Sequence, residues 1–140
     1  ILSAADKKNF DVICCAVGTG GTIAGIINAS SDVQHIIGHA ALKTDYLSAE
    51  VAQHTKRRNW HITSEDVFGG YGHFNAELLD FIAATEATHG LPLDPVYTGK
   101  AYYRLHQQIL AGDFAPHSRI LFIHTGGLQG HRPANPAQPA

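Results

Sequence analysis

The stretch that decides the fold is FDVICCAVGTGGT, residues 10–22. Residues 10–17 are mostly apolar and partly β-branched, and a glycine closes the run, which is the pattern of a strand buried on both faces. Ile23, Ile26 and Ile27 then follow at helical spacing. A strand, a glycine turn and a helix therefore succeed one another, an order typical of a parallel sheet covered by helices.

Strand and helix patterns also alternate along the rest of the chain after this unit. We predict further strands at 33–37, 60–63 and 119–124, and helices at 22–29, 45–58, 75–89 and 100–110. The alternation predicts an α/β fold of three layers, in which a mainly parallel sheet carries helices on both faces. Ligands of open α/β sheets bind at the carboxyl ends of the strands, where the Gly-rich segments 18–21 and 126–127 fall.

The glycine segment after the first strand has the chemistry of a phosphate site. Glycines allow a ligand to approach the backbone closely, and a helix N-terminus presents N–H groups and a dipole that favours negative charge. A nucleotide P-loop would need Gly-Lys-Ser/Thr, and a dinucleotide fingerprint would need glycine where Ile23 stands. A small phosphate-bearing cofactor therefore fits better than a nucleotide, and a plain tight turn without a ligand is the alternative.

Composition excludes several classes of function. The chain has 140 residues, 44% of them hydrophobic and 16% charged, as expected of one compact globular domain. A formal net charge of −2 argues against a nucleic-acid partner. No apolar stretch reaches the roughly 20 residues that a membrane span needs. The adjacent Cys14 and Cys15 are typical of buried, reduced thiols in a cytoplasmic protein, and the ten histidines show no metal-ligand spacing, so no metal is predicted.

Three further loop segments carry polar and aromatic side chains. They are FGGYGHFN at 68–75, LDPVYTGK at 93–100 and HTGG at 124–127. Each segment alone is typical of an ordinary loop. Together with GTGGT in one α/β chain, they predict a shared pocket for a small molecule.

The combination of GTGGT, GGYG, LDPVYTGKA and ILFIHTGG resembles the fold-type-II pyridoxal-phosphate enzymes. Within them, it is similar to the group of the D-cysteine desulfhydrases and 1-aminocyclopropane-1-carboxylate deaminases, over residues 10–130. The resemblance implies the large-domain part of a tryptophan-synthase-β-like fold, with pyridoxal 5'-phosphate as cofactor. It also implies a small amino acid as substrate and a homodimeric assembly.

The resemblance also implies roles for particular residues. The cofactor phosphate would be bound by the glycine loop, namely Gly18, Thr19, Gly20, Gly21 and Thr22. Tyr97 and Tyr71 would line the active site and serve in proton transfer or positioning. Either Thr98 or Thr125 would lie near the pyridine nitrogen of the cofactor, and the sequence does not decide between these two threonines.

The position after Tyr97 bears on the reaction that the resemblance implies. It is acidic in the deaminases and threonine in the desulfhydrases, and here it is Thr98. A neutral hydroxyl leaves the cofactor a weaker electron sink, which suits β-elimination. The resemblance thus favours a desulfhydrase-like reaction giving sulfide, pyruvate and ammonia, over the deaminase reaction giving 2-oxobutyrate and ammonia. The competing hypotheses are a non-catalytic α/β domain that binds a phosphorylated metabolite, and an inactive fragment.

The chain contains no methionine, and we expect it to be the C-terminal part of a longer protein. Residues 1–130 would form mostly the large cofactor-binding domain, and the Pro/Ala-rich residues 131–140 a disordered tail. The family's Schiff-base lysine would lie in an absent N-terminal segment. Lys56, in the stretch KRRN, imitates its context but follows the glycine loop, and Lys100 is also not the family's lysine.

Overall fold

The computed structural model describes residues 2–41, 46–64, 68 and 72–125. Within them lie the strands Val12–Val17 (β1), His35–Ala40 (β2), Trp60–Thr63 (β3) and Ile120–Ile123 (β4). The helices are Ala4–Asn9 (α1), Gly21–Ala29 (α2), Leu47–Ala52 (α3), Ala76–His89 (α4) and Thr98–Leu110 (α5). The predicted tail at 131–140 and the predicted boundary at 130 lie outside the described residues.

The sheet has the strand order β3-β2-β1-β4, and each of its three pairings is parallel. The predicted parallel α/β architecture is therefore confirmed. All six residues of the central β1 are buried, because helices cover both of its faces. Since the strands are parallel, the residues that follow β1, β2 and β4 lie at one edge of the sheet, where the site is expected.

Successive side chains of β1 point to opposite layers, as the pleat of a strand requires. Ile13, Cys15 and Val17 pack in one cluster with the apolar side chains of α2 and α3. Cys14 packs on the other side with Leu105 of α5. The helices thus cover both faces, which confirms the predicted three layers.

Two predicted elements are wrong in their bounds. The second strand was expected at 33–37, but β2 runs from His35 to Ala40 and Val33 is 88% exposed. The helix expected at 45–58 ends at Ala52. The guanidinium of Arg57 instead donates to the carbonyl of Ser30 and the carboxylate of Asp32, both at 2.8 Å. This long-range contact holds the chain extended before β3, so Lys56 is not at a helix end.

Two helices differ from the sequence prediction, because one was not predicted and the other begins earlier than expected. No helix is predicted before β1, yet α1 forms with a capping box in which Ser3 and Asp6 exchange hydrogen bonds of 2.9 and 3.1 Å. A helix of six residues is too short to show an apolar period. The last helix was expected at 100–110, but α5 starts at Thr98. Tyr97, which the sequence placed three residues before this helix, therefore lies directly at its start.

A buried histidine lies in β2 at the interface with α5. His39 is 3% exposed, and its Nδ1 lies 3.0 Å from the Thr63 hydroxyl. Burial, together with the positive charge of Arg104 and the electrostatic effect of His61, lowers the pKa of His39 to about 3. The imidazole is therefore neutral throughout the physiological range.

The neutral state of His39 predicts that the fold loses stability in mild acid. An unfolded histidine takes up a proton near pH 6.5, whereas His39 in the fold does not, so lowering the pH from 7 to 5 should cost about 2 kcal/mol. His39→Asn, which keeps a polar atom near the position of Nδ1, should reduce this pH dependence by that amount. Urea unfolding across this pH range measures it, with the exposed His117→Asn as control. Equal pH dependence in wild type and His39→Asn would contradict the prediction.

Candidate functional site

The loop between β1 and α2 has a backbone that requires glycine at its centre. Gly20 has a φ of +94°, in the left-handed region that side chains disfavour. A Cβ on Gly20 would also lie 2.9 Å from Cγ2 of Val51 in α3. Conformation and packing therefore both require the absence of a side chain, and the loop lies close against α3.

The start of α2 presents its N–H groups at this loop. The N–H of Ala24 makes the first helical bond, to the carbonyl of Gly20 at 3.1 Å. The N–H groups of a first helical turn have no acceptor within their own helix. There is no acidic residue in the first turn of α2, so nothing there offsets the positive end of the helix dipole. This end of α2 is therefore suited to an anion.

A pocket of about 320 Å³ opens at the carboxyl end of β1. This volume lies at the lower end of the range for small-molecule sites, roughly 300–1,000 Å³. The pocket contains backbone N–H groups, threonine hydroxyls and a phenol, with no carboxylate among the described residues that line it. Those residues are Ala16, Val17, Gly18, Thr19, Gly20, Thr22, Ile23, Tyr97 and Thr125.

Tyr97 forms the wall opposite the glycine loop. A Cβ added to Gly18 would lie only 3.0 Å from Cε1 of Tyr97, so the ring lies directly against the loop backbone. Tyr97 is the last residue before α5, and its N–H donates to the carboxylate of Asp94 at 2.8 Å. The phenol is thus carried by a turn whose backbone is fixed, close to the helix end that suits an anion.

Most of the predicted site residues come together in this pocket. Six of them line it: Gly18, Thr19, Gly20, Thr22, Tyr97 and Thr125. Gly21 begins α2 and is not among the lining residues. Tyr71 lies outside the described residues, as do the glycines at 126–127. The catalytic role predicted for Tyr71 therefore stays a prediction.

The two threonines that the sequence left open occupy different environments. Thr125 is exposed and lines the pocket. Thr98 is fully buried, and its hydroxyl donates to Oδ1 of Asp94 at 2.5 Å. Thr98 is not among the described residues that line the pocket. Of the two hydroxyls, that of Thr125 is therefore the better placed to meet a ligand.

Sequence reasoning assigned no role to Asp94, which is 1% exposed and accepts several hydrogen bonds at the start of α5. The available signal was an aspartate shortly before a helix, the type of residue that caps helix N-termini. Placing the helix start at residue 100 hid that signal. Lys100 lies nearby and is 4% exposed; burial lowers its pKa, and the carboxylate of Asp94 opposes that shift.

Neither a metal-binding cluster nor a membrane-spanning helix is present in the described part of the chain. Over residues 2–41, 46–64, 68 and 72–125, no three His, Cys, Asp or Glu side chains are grouped so as to hold a metal ion. None of the helices in these ranges has the length and apolar character needed to cross a membrane.

Comparison with known proteins shows relatives of one kind. A Pyrococcus abyssi protein that carries the provisional name 1-aminocyclopropane-1-carboxylate deaminase is 37% identical over 134 residues, which is 86% of this chain and 40% of that protein. The mitochondrial bifunctional D-cysteine desulfhydrase/1-aminocyclopropane-1-carboxylate deaminase of Arabidopsis thaliana is 35% identical, covering 89% of this chain and 34% of its own length. No protein-family model matches the chain.

A solved structure extends the similarity to the fold. The crystal structure of a 1-aminocyclopropane-1-carboxylate deaminase homologue superposes with a TM-score of 0.72 at 30% identity, over 87% of this chain and 41% of that one. The predicted resemblance is therefore confirmed in sequence and in fold. The chain spans about two fifths of the length of the relatives it matches.

Proposed function

We propose that this chain, as a homologue of the 1-aminocyclopropane-1-carboxylate deaminases and D-cysteine desulfhydrases, is part of a pyridoxal-phosphate-dependent enzyme that releases ammonia from a small amino acid. The observation that carries the proposal is the pocket between the start of α2 and Tyr97. A homodimeric assembly and a cytoplasmic location stay predictions for the whole protein.

The residues of the pocket fit the proposed cofactor at its phosphate. The backbone at Gly18 and Gly20 can approach a phosphate closely, and the hydroxyls of Thr19 and Thr22 add donors beside the positive end of α2. The absence of a carboxylate among the described lining residues removes a source of repulsion for a dianion. We therefore assign the phosphate of pyridoxal phosphate to this loop.

The other wall of the pocket would face the substrate and the cofactor ring. When bound, pyridoxal phosphate supplies an electron sink for carbon-acid chemistry. Tyr97 would hold or transfer a proton at its Oη, and its ring would limit the space above Gly18. Thr125 would offer a neutral hydroxyl to the ring, since Thr98 is bonded to Asp94.

The finer proposal is a desulfhydrase-like reaction. No carboxylate lies among the described residues that line the pocket, and position 98, acidic in the deaminases, is threonine here. The cofactor ring would therefore meet neutral groups, which favours elimination of sulfide from D-cysteine, with pyruvate and ammonia as the other products. The Arabidopsis relative carries both activities in its name, so opening of the cyclopropane ring to 2-oxobutyrate is the alternative. Assay of both amino acids with one preparation decides between them, through sulfide release on one side and 2-oxobutyrate on the other.

The proposed cofactor can be tested on the full-length gene product by its visible absorption spectrum before and after borohydride. A yellow band that borohydride abolishes is expected. A colourless protein that takes up no added pyridoxal phosphate would overturn the proposal and leave a domain that binds another phosphorylated metabolite.

The role of the glycine loop in cofactor binding can be tested by alanine substitution at two glycines that both have a left-handed backbone conformation. Gly20→Ala should weaken cofactor binding by about 10-fold, because relief of the left-handed strain, about 1–2 kcal/mol, and of the contact between the new Cβ and Val51 would shift the loop N–H groups away from the phosphate. Gly90→Ala is the matched control, because Gly90 has a φ of +63° but no atom near the added Cβ. Cofactor titration measures both variants. Equal losses would show that the effect is general strain rather than damage to the phosphate site.

A further inference from the structure

We propose that Asp94 is a positioning residue that holds Tyr97 against the glycine loop. The chemistry assigned to Tyr97 rests on the function proposed above. The placement of Tyr97 by Asp94 rests on hydrogen bonds, burial and packing in the structure. Asp94 does not line the pocket, so it acts on the site through the turn that it organises.

The carboxylate of Asp94 binds the backbone on both sides of Tyr97. Its Oδ2 accepts the N–H groups of Val96 and Tyr97, each at 2.8 Å. Its Oδ1 accepts the N–H of Thr98 at 2.9 Å and the hydroxyl of the same residue at 2.5 Å. These N–H groups lie at the start of α5, where a negative charge also meets the positive end of the helix dipole.

The main chain of Asp94 closes the same turn. Its N–H donates to the hydroxyl of Thr98 at 3.0 Å, and its carbonyl accepts the N–H of Gly99 at 2.7 Å. Asp94 is 1% exposed, so water does not compete for these bonds. The segment from Asp94 to Gly99 is therefore a closed unit whose backbone has little freedom.

The position of the Tyr97 ring follows from this unit. The backbone of Tyr97 is fixed through its N–H, and Cε1 of its ring lies only 3.0 Å from the position of a Cβ on Gly18. A shift of the turn would move the phenol relative to the glycine loop. Catalytic groups displaced by about 1 Å typically lose on the order of 100-fold in rate.

Asp94→Asn in the full-length protein tests the proposal, because asparagine keeps the shape but replaces one acceptor oxygen with a donor. We expect kcat to fall roughly 10- to 100-fold with little change in KM. In combination with Tyr97→Phe, the second substitution should add little to the loss, since Asp94 acts through the phenol. Fully additive losses would overturn the proposal.

Asp11→Asn is the matched control. Asp11 is also a carboxylate that accepts a backbone N–H, from Arg119 at 2.9 Å, but it is exposed and precedes β1 at the opposite edge of the sheet. Asp11→Asn should leave kcat unchanged. Combined with Tyr97→Phe, it should give only the loss that Tyr97→Phe causes alone. If Asp94→Asn does not fold, Thr98→Val, which removes the hydroxyl donor to Oδ1 but leaves the carboxylate its three backbone N–H donors, is expected to show the same coupling in weaker form.

Amide hydrogen exchange gives a readout that does not depend on activity. The amides of Val96, Tyr97 and Thr98 should exchange at least about 10-fold faster in Asp94→Asn, and not in Asp11→Asn, because each loses a charge-assisted bond. Unchanged exchange at these amides would overturn the proposal. A wild-type protein without cofactor or turnover would sink the proposed function alone, and the exchange result would still decide on Asp94.

Discussion

Replacement of Tyr97 by phenylalanine is expected to lower kcat of the full-length protein by about 10²- to 10⁴-fold, the range for loss of a positioned proton-transfer group. The substitution removes the phenolic oxygen and keeps the ring that packs against Gly18. KM should change little, because the packing surface of the pocket is preserved. Steady-state kinetics with D-cysteine and with 1-aminocyclopropane-1-carboxylate measure the effect on both proposed substrates.

Tyr103→Phe is the control for this substitution. Tyr103 lies on α5 and donates from its hydroxyl to the carboxylate of Glu77 at 2.7 Å, so its replacement also removes a hydrogen-bonded phenol. Tyr103 is not among the residues that line the pocket, and its loss should leave kcat within about two-fold of wild type. If Tyr97→Phe retains full activity, or if both variants lose activity equally, Tyr97 has no special role in proton transfer.

Replacement of Gly99 by alanine is expected to lower the free energy of unfolding by about 3 kcal/mol. A Cβ at this position would collide with the carbonyl oxygen of Asp94 and lie 2.6 Å from Cδ1 of Ile82. The first is backbone and the second belongs to a side chain that is 3% exposed, so neither can move away cheaply. Urea unfolding followed by circular dichroism measures the loss.

Gly25→Ala gives the matched comparison in α2. Gly25 is also helical, and an added Cβ there meets no atom within 4 Å. Because alanine is the better helix former by about 1 kcal/mol, this variant should be as stable as wild type or more stable. A Gly99→Ala protein of wild-type stability would mean that α5 can shift away from α4 without cost, contrary to the close contact described.

The elements predicted well are those whose burial or conformation produces a local pattern of residue types in the sequence. β1 lies between two layers, and its run of apolar residues records that burial directly. The end of α4 was predicted because Gly90 adopts the left-handed conformation that closes a helix. β2 was displaced because its later residues include Gly38 and His39, which do not suggest a strand. Their burial depends on residues elsewhere in the chain: Gly38 packs against Ile23 and Ile62, and His39 lies beside Thr63 and Arg104.

The site was predicted through the rule that ligands bind at the carboxyl ends of parallel strands. That rule correctly brings Thr125, after β4, together with the glycine loop after β1. The sequence could not separate Thr125 from Thr98, because each lies within one of the motifs that predict the pocket, HTGG at 124–127 and LDPVYTGK at 93–100. The separation depends on the direction of one hydroxyl, which the carboxylate of Asp94 determines. Such a short contact inside a turn leaves no periodic signal in the sequence.

The two cysteines of β1 provide a separate chemical probe for each side of the sheet. Cys14 and Cys15 are both free and fully buried, and burial raises the pKa of each thiol to about 12. A thiol reagent therefore gains access only when the covering layer opens. Cys15 would be modified when α2 and α3 detach, and Cys14 when α5 does. The modification rates of the two neighbouring residues thus report the opening of opposite sides of one sheet.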